Sequence, residues 1–189
     1  MREGYKMTEL GEIPEDWEVV YLDKHVNLLS GFPFKSEDFS ETSNGTKLLR
    51  GVNITVGKLR WDSKIDRYWD QEFSEFEKYS AKADDLVISM DGSLVGRNYG
   101  RVRKEDLPLL LVQRVACIRA KQSLILEYLS QIVGSSIFIN YVDAVKTSSG
   151  IPHISAKNIK EFKISLPPLP EQQRIATILS TVDEKIEVI

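Results

Sequence analysis

The stretch Ile164-Ser165-Leu166-Pro167-Pro168-Leu169-Pro170-Glu171-Gln172-Gln173-Arg174-Ile175-Ala176, which runs on through TILSTVDEKIEVI to Ile189, joins an extended segment to a helix. Lys163–Leu166 reads as a short strand. Pro170 suits the first helical position, where its missing N–H costs nothing, and Glu171 lies in the first turn, where the helix dipole favours an anion. Apolar residues then recur at Ile175, Leu179, Val182, Ile186 and Ile189, at alternating intervals of four and three. That is the spacing of a heptad seam. No Gly or Pro stops the helix, so it is expected to pack along a second helix that the sequence itself does not supply. The organisation implied is a globular unit over residues 1–167 and the start of a connecting helix over 168–189.

The rest of the chain has the make-up of one ordinary domain. Its 189 residues are 42% hydrophobic and 28% charged, enough for one substantial core. No apolar run approaches the ~20 residues of a membrane span, and the acidic N-terminus is unlike a signal peptide. The single cysteine excludes an internal disulfide and fits a reducing, cytoplasmic setting. Cys117 lies in a run of Val, Leu and Ile, where a thiol is expected to be buried and inert. One Cys and two distant His make no metal-ligand cluster.

Periodicity predicts an α+β fold: one domain with a mixed or antiparallel sheet flanked by helices, and a projecting C-terminal helix. Trp17–Leu22 alternates as an entry strand, and Thr46–Ile54 reads as a strand element closed by a turn at Gly57. Gln71–Tyr79 reads as a helix, with Phe73, Phe76 and Tyr79 sharing a face. Leu86–Met90 reads as a strand between two turns, Leu109–Ala120 as one long strand, and Ser123–Val133 and Ser136–Ala144 as helices.

A net charge of −3 argues against a nucleic-acid partner until it is divided along the chain. Residues 1–44 carry 4 basic and 10 acidic side chains, net −6, whereas residues 92–121 carry 7 basic and 2 acidic, net +5. Phosphate attraction is screened over a Debye length of ~10 Å, so a local basic patch matters more than the average. This segment contains Gly92-Ser93-Leu94-Val95-Gly96-Arg97-Asn98-Tyr99-Gly100-Arg101-Val102-Arg103-Lys104. Arg can bond guanine bidentately, Asn adenine, and Ser either a base or a phosphate. Arg101 and Arg103, two apart on an extended segment, point to the same side and would neutralise phosphates. The candidate DNA contacts are therefore Ser93, Arg97, Asn98, Arg101, Arg103 and Lys104. Lys146 and Ser148, in the small-residue loop before Pro152, join them. The plainer alternative is a solvated charged loop with Asn98 and Gly100 in an ordinary turn. Trp61, Tyr68 and Trp69, near several basic residues, read as core or rim aromatics rather than a second contact surface, and His153 as a packing or hydrogen-bonding residue.

Several chemistries lack their residues. An Asp or Asn followed by Pro-Pro and an aromatic, the amino-methyltransferase tetrad, does not occur. Gly92–Gly96 is not followed by Lys-Ser or Lys-Thr, so there is no Walker cradle. Glu161-Phe162-Lys163 has no Pro-Asp partner to complete a nuclease site. Val133–Ile137 is not a nucleophile elbow, and no positioned acid supports a Ser–His pair through His153.

Ser165–Ala176 resembles the "PLPPLPEQ-RIA" junction of type I restriction–modification specificity subunits. Other stretches match that family in order. Thr8–Trp17 is similar to its lead-in, Ser30-Gly31-Phe32-Pro33-Phe34-Lys35-Ser36 to an "SG-PFKS" opening, and Gly51–Ile54 and Asp85–Gly92 to two strand motifs. Val112-Gln113-Arg114 is similar to "NQRV", with Leu-Val-Gln where Asn-Gln is usual, and Gly150–Ile154 to "G-PHI". The resemblance implies a target-recognition domain that binds half of a bipartite double-stranded DNA sequence. It also implies helix pairing that sets the spacing, and docking to methyltransferase subunits that use S-adenosylmethionine. Through these it would recruit an ATP- and Mg-dependent restriction subunit, and the chain itself would need no cofactor. One copy of a unit the family carries twice implies a piece of a longer subunit or a half subunit that dimerises. Two other functions stay open: a protein-interaction module using the Leu166–Pro170 prolines in PxxP spacing, and a stand-alone DNA-processing enzyme.

Overall fold

In the computed structural model, which describes residues 2–42 and 44–187, the chain opens with a hairpin, β1 (Tyr5–Thr8) and β2 (Gly11–Pro14). There follow β3 (Glu18–Tyr21), β4 (Val26–Ser30), β5 (Thr46–Leu49), β6 (Ile54–Leu59), β7 (Tyr68–Trp69), β8 (Leu86–Ser89), β9 (Tyr99–Arg101), β10 (Leu109–Leu111) and β11 (Val115–Ala120). The helices α1 (Leu126–Val133), α2 (Ser136–Val145) and α3 (Ala156–Glu161) come next, then β12 (Lys163–Leu166) and the long α4 (Leu169–Glu187). The class is α+β, as periodicity predicts. The strands form a five-stranded sheet in the order β4-β11-β8-β9-β6, a three-stranded sheet β10-β5-β7, and the pairs β1-β2 and β12-β3. Both larger sheets are mixed, since β6 runs parallel to β9 and β10 parallel to β5.

The five-stranded sheet is buried on both faces, which is why its central strands read as continuous apolar runs. Alternate residues Leu86, Ile88, Ala116 and Ile118 face α1 and α2, packing on Leu129, Val133, Phe138 and Val142. Their neighbours Val87, Val115 and Cys117 point the other way, onto Leu49, Ile54, Leu109 and Leu111. Each such fully buried aliphatic side chain is worth about 1.5–3 kcal/mol over exposure. A third cluster is aromatic. Phe34 stacks at 4.7 Å on Trp69 and 4.9 Å on Phe76, with Phe32 beside it. Trp69 is thus a core residue, and Trp61 bonds through Nε1 to Asp106 Oδ1 at 2.6 Å.

Three expectations are corrected. Leu109–Ala120 is not one strand: Val112–Arg114 breaks it, sending β10 into one sheet and β11 into the other. Gln71–Tyr79 is not an α-helix but a 3₁₀ segment over Ser74–Tyr79. The apolar spacing of three is the 3₁₀ period, which aligns Phe73, Phe76 and Tyr79 on the aromatic cluster. Gly57 lies inside β6 with φ 78° rather than closing a turn. The short α3 is not legible from periodicity. A capping box starts it, in which Asn158 N donates to Ser155 Oγ at 3.2 Å and Ser155 N to Asn158 Oδ1 at 2.9 Å.

Among the described residues, the most buried carboxylate is fully satisfied. Asp85, 4% exposed, accepts from Arg119 Nε and Nη2, each at 2.8 Å, and from Lys82 N at 2.7 Å. Burial, and then the neighbouring Asp85 carboxylate, push the Cys117 thiol far above its ordinary pKa, so it stays protonated and unreactive.

The proline-rich junction ties the two ends of the domain together. β12 pairs with β3 from Lys163 opposite Tyr21 to Leu166 opposite Glu18. Trp17 Nε1 donates to Glu171 Oε2 at 3.0 Å. Gln172, 1% exposed, accepts from Ile125 N at 2.8 Å and donates to Pro167 O at 2.9 Å and Ser123 O at 3.2 Å. Pro168 O accepts from the N–H groups of Glu171 and Gln172 at 2.9 and 3.0 Å. The prolines are thus consumed as a helix start, and Pro167 is buried, so the segment is no free polyproline ligand.

Beyond this joint α4 runs beside α1, and Gln131 Nε2 donates to Asp183 Oδ2 at 2.9 Å. Ile175 is half-buried at the core's edge. At ~100° per residue, Gln172, Ala176 and Asp183 share the domain-facing side, and the seam lies about a quarter turn away. There Leu179, Val182 and Ile186 are 40%, 48% and 65% exposed, with Ile178 beside them at 57%. Ile189 lies outside the described residues.

Candidate nucleic-acid interface

An open cleft of about 750 Å³ is walled by the loop after β4, the residues after β5, the β8–β9 connection and the Val112–Arg114 turn. Its polar lining includes Lys35, Arg50, Ser93, Asn98, Gln113 and Arg114. Each is placed by backbone that the sheets fix. Asn98 donates its N–H to Leu94 O at 3.2 Å, and its own carbonyl accepts from Ser89 N at 3.0 Å, closing a loop at the end of β8. Gly92, at φ 95°, donates to Pro152 O at 3.0 Å and swings Ser93 outward. Gly31 permits the closest backbone approach in the wall. A Cβ there would lie 2.1 Å from Val112 O, so only glycine lets β4 cross the turn at this point.

Arg50 lines the cleft half-buried. Asn53, fully buried, accepts from Arg50 N at 3.3 Å and reaches Arg60 O at 3.3 Å and Asp66 Oδ1 at 3.5 Å. The guanidinium donates to Ile65 O, while its Nε is buried without a partner. Burial, and then Arg67 nearby, pull its pKa down, but an arginine stays charged. The other groups differ in kind: among the described residues the side chains of Ser93, Asn98, Gln113 and Arg114 make no hydrogen bond or ion pair. The cleft thus presents amide, hydroxyl and guanidinium groups free to meet a polar ligand. With Glu37 and Asp91 also in its lining, its electrostatics are nearly balanced, which favours recognition by hydrogen bonding over bulk phosphate attraction.

The candidate residues named from sequence do not form one surface. Ser93 and Asn98 come together in the cleft. Arg97 turns away from it and forks onto Asp143, with Nη2–Oδ2 at 2.9 Å and Nη1–Oδ1 at 3.4 Å. Lys146 meets the same carboxylate at 2.6 Å. Hydrogen bonds from Arg97 and then Lys146 hold the Asp143 carboxyl down at about 2, so this carboxylate stays ionised throughout the neutral range. Arg101 is held between Asp84 and Glu127, both at 2.9 Å. Arg103 approaches, among the acidic side chains of the described residues, only Glu105, at 3.8 Å, and is 66% exposed. Arg101 and Arg103, with Lys104, line one groove. It is a separate groove beside α4, lined also by Tyr99, Gln131 and Asp183. Ser148 is exposed in the loop after α2. His153 Nδ1 lies 3.0 Å from Thr147 Oγ1, a local hydrogen bond.

Sequence reasoning passed over Lys35, Arg50, Gln113 and Arg114 as site residues. A usable signal was present for the last two, since a Gln-Arg pair interrupting the apolar run Leu109–Ile118 has no place in a buried strand.

The comparisons with known proteins agree on what this arrangement belongs to. A family model described as the type I restriction modification DNA specificity domain matches residues 14–189. The chain belongs to that family and carries one recognition domain of it. The EcoAI specificity subunit of Escherichia coli is 38% identical over 93% of this chain and 29% of its own length. The MjaVIII specificity subunit of Methanocaldococcus jannaschii is 31% identical over 98% of this chain and 44% of its own length. The chain thus spans less than half of either relative. The crystal structure of the HsdS subunit from Thermoanaerobacter tengcongensis superposes with a TM-score of 0.68 at 20% identity, over 98% of this chain and 42% of that one, which shows the shared fold. The relatives are named as specificity subunits of type I restriction enzymes. None of the described helices is long and apolar enough to cross a membrane.

Proposed function

We propose that this chain is one double-stranded-DNA target-recognition unit of a type I restriction–modification specificity subunit, with residues 1–167 reading one half of a bipartite target and 168–189 beginning the connecting helix. It works in the cytoplasm and performs no catalysis. It directs partner methyltransferase subunits, which hold S-adenosylmethionine, and through them a restriction subunit that uses ATP and Mg. The observation that supports this most is the gathering of Ser93, Asn98, Gln113 and Arg114 around one cleft with their side chains unpaired, in a chain of this family. The Asn98 side chain is an amide of the kind that bonds an adenine edge bidentately, and Ser93 would serve a base or a phosphate. Arg103 and Lys104, free of strong partners, add a sequence-independent phosphate contact from the neighbouring groove. Arg97, Lys146 and Arg101 already have carboxylate partners and contribute to DNA only by exchanging them.

The test is a bind-and-sequence selection with the chain and its methyltransferase partner. Ser93→Ala with Asn98→Ala should relax the selected sequence at one or two base pairs, each bidentate contact being worth about 1–3 kcal/mol of discrimination. Arg103→Ala with Lys104→Ala should leave the selected sequence intact and flatten the salt dependence by about one unit per charge. An unaltered selection from the Ser93/Asn98 double variant would take base reading out of the cleft. Calorimetry should show no stoichiometric S-adenosylmethionine or ATP binding to the chain alone, and such binding would overturn the non-catalytic role.

A further inference from the structure

Two described non-glycine residues adopt the left-handed backbone region, Asp84 at φ 70° and Arg114 at φ 69°. Asp84 needs no special account, because Asp tolerates that region and closes a turn here, where its N–H donates to Val102 O at 2.8 Å. Arginine has no such local compensation. Arg114 is the third residue of a tight turn in which Val115 N donates to Val112 O at 3.2 Å. A positive φ at that position is where a turn normally takes glycine.

The conformation is imposed from every side. Val112 N donates to Leu49 O at 3.0 Å, Gln113 N to Phe32 O at 2.8 Å, Met90 N to Arg114 O at 2.8 Å and Gly31 N to Val115 O at 3.0 Å. These bonds tie both sheets to the turn, so the backbone would hold the same shape with glycine at 114. The side chain, meanwhile, stabilises nothing: it is exposed and has no hydrogen bond or ion pair among the described residues. It projects at the cleft that Asn98 and Ser93 also line.

We infer that Arg114 occupies a glycine position because its guanidinium is a DNA contact at the cleft mouth, a phosphate anchor that fixes the duplex in register over Ser93 and Asn98. This rests on the DNA-recognition reading above. An over-determined turn makes a rigid mount, which lowers the cost of ordering a long side chain on binding, and backbone strain of this kind gathers at functional positions. Phosphate fits better than a base edge because the side chain is exposed, where charge is useful with little desolvation.

Arg114→Gly separates the roles. It should raise the thermal midpoint, by about 2–4 °C for a domain of this size, because strain is relieved. It should also weaken binding to a random-sequence duplex and to the selected target alike, by roughly tenfold at low salt, with the salt slope reduced by about one unit. Arg114→Lys should keep the charge, the slope and most of the affinity, with the midpoint unchanged. Wild-type affinity in Arg114→Gly would overturn the proposal, as would a lowered midpoint, which would make the side chain structural. A wild-type chain that fails to bind any duplex at low salt would instead bring down the DNA-recognition reading itself, and this inference with it.

Discussion

Gln172→Leu should destabilise the chain by about 2–4 kcal/mol, because it leaves buried backbone groups without partners at about 1–3 kcal/mol each. Leucine keeps nearly the same volume, so the loss is in hydrogen bonds and not in packing. The Ile125 N–H loses its acceptor and Pro167 O its side-chain donor, while Ser123 O, on an exposed residue, recovers water. Ile125 is the residue just before α1, whose N–H groups have no intrahelical acceptor. One amide therefore caps α1, holds the end of β12 and seats α4. Urea unfolding followed by far-UV circular dichroism measures the loss, and a change under about 1 kcal/mol would mean that water replaces the amide at no penalty. Spin labels on Thr181 and Lys160, both exposed, supply the second measurement. The distance between them should be narrowly distributed in the wild type and broadened in the variant, since the same amide fixes the direction in which α4 leaves the domain.

That joint was legible in the sequence as punctuation, and its chemistry was not. Pro170 and Glu171 mark a helix start by local rules, but nothing local shows that Gln172 lies against Ile125, 47 positions away. The same division runs through the molecule. Strands with strong alternation or full burial, such as β8 and β12, are recognisable because each residue's environment repeats along the chain. The broken strand at Val112–Arg114 is not, because the break depends on which sheet each half joins. For the site, residue chemistry identified Ser93 and Asn98 among true cleft residues. It could not tell Arg97 and Arg101 from Arg114, since all are arginines in one basic stretch. Only the fold shows that Asp143, Asp84 and Glu127 take up the first two and leave the third free. Local charge is thus a weak guide when its counter-ions come from other parts of the fold.

The aliphatic stripe on α4 should drive association between copies of this chain, weak and concentration-dependent, and Leu179→Asp with Ile186→Asp should abolish it. The stripe is apolar because Ile178, Leu179, Val182 and Ile186 lie together on the face a quarter turn from the domain. They keep 40–65% of their surface in water, although full burial of such a side chain is worth about 1.5–3 kcal/mol. The domain cannot cover them, since α1 already occupies the adjoining side through Gln131 and Asp183. A straight helix of this length, 19 residues, reaches about 30 Å, and only its second half is uncovered. Pairing over so short a length is marginal on its own, which is why association should be weak unless domain surface adds to it. The covering element is the same helix of a second copy or another connecting helix of the same heptad pattern. Sedimentation velocity across a hundredfold range of concentration measures this. A dimer that survives both aspartates would place association on another surface. A wild type that is monomeric throughout would mean that two copies of this helix alone are too short to pair and that the natural partner is a longer helix. In that case adding a synthetic peptide that carries a longer heptad seam should protect α4 amides from exchange, and the double aspartate variant should show no such protection.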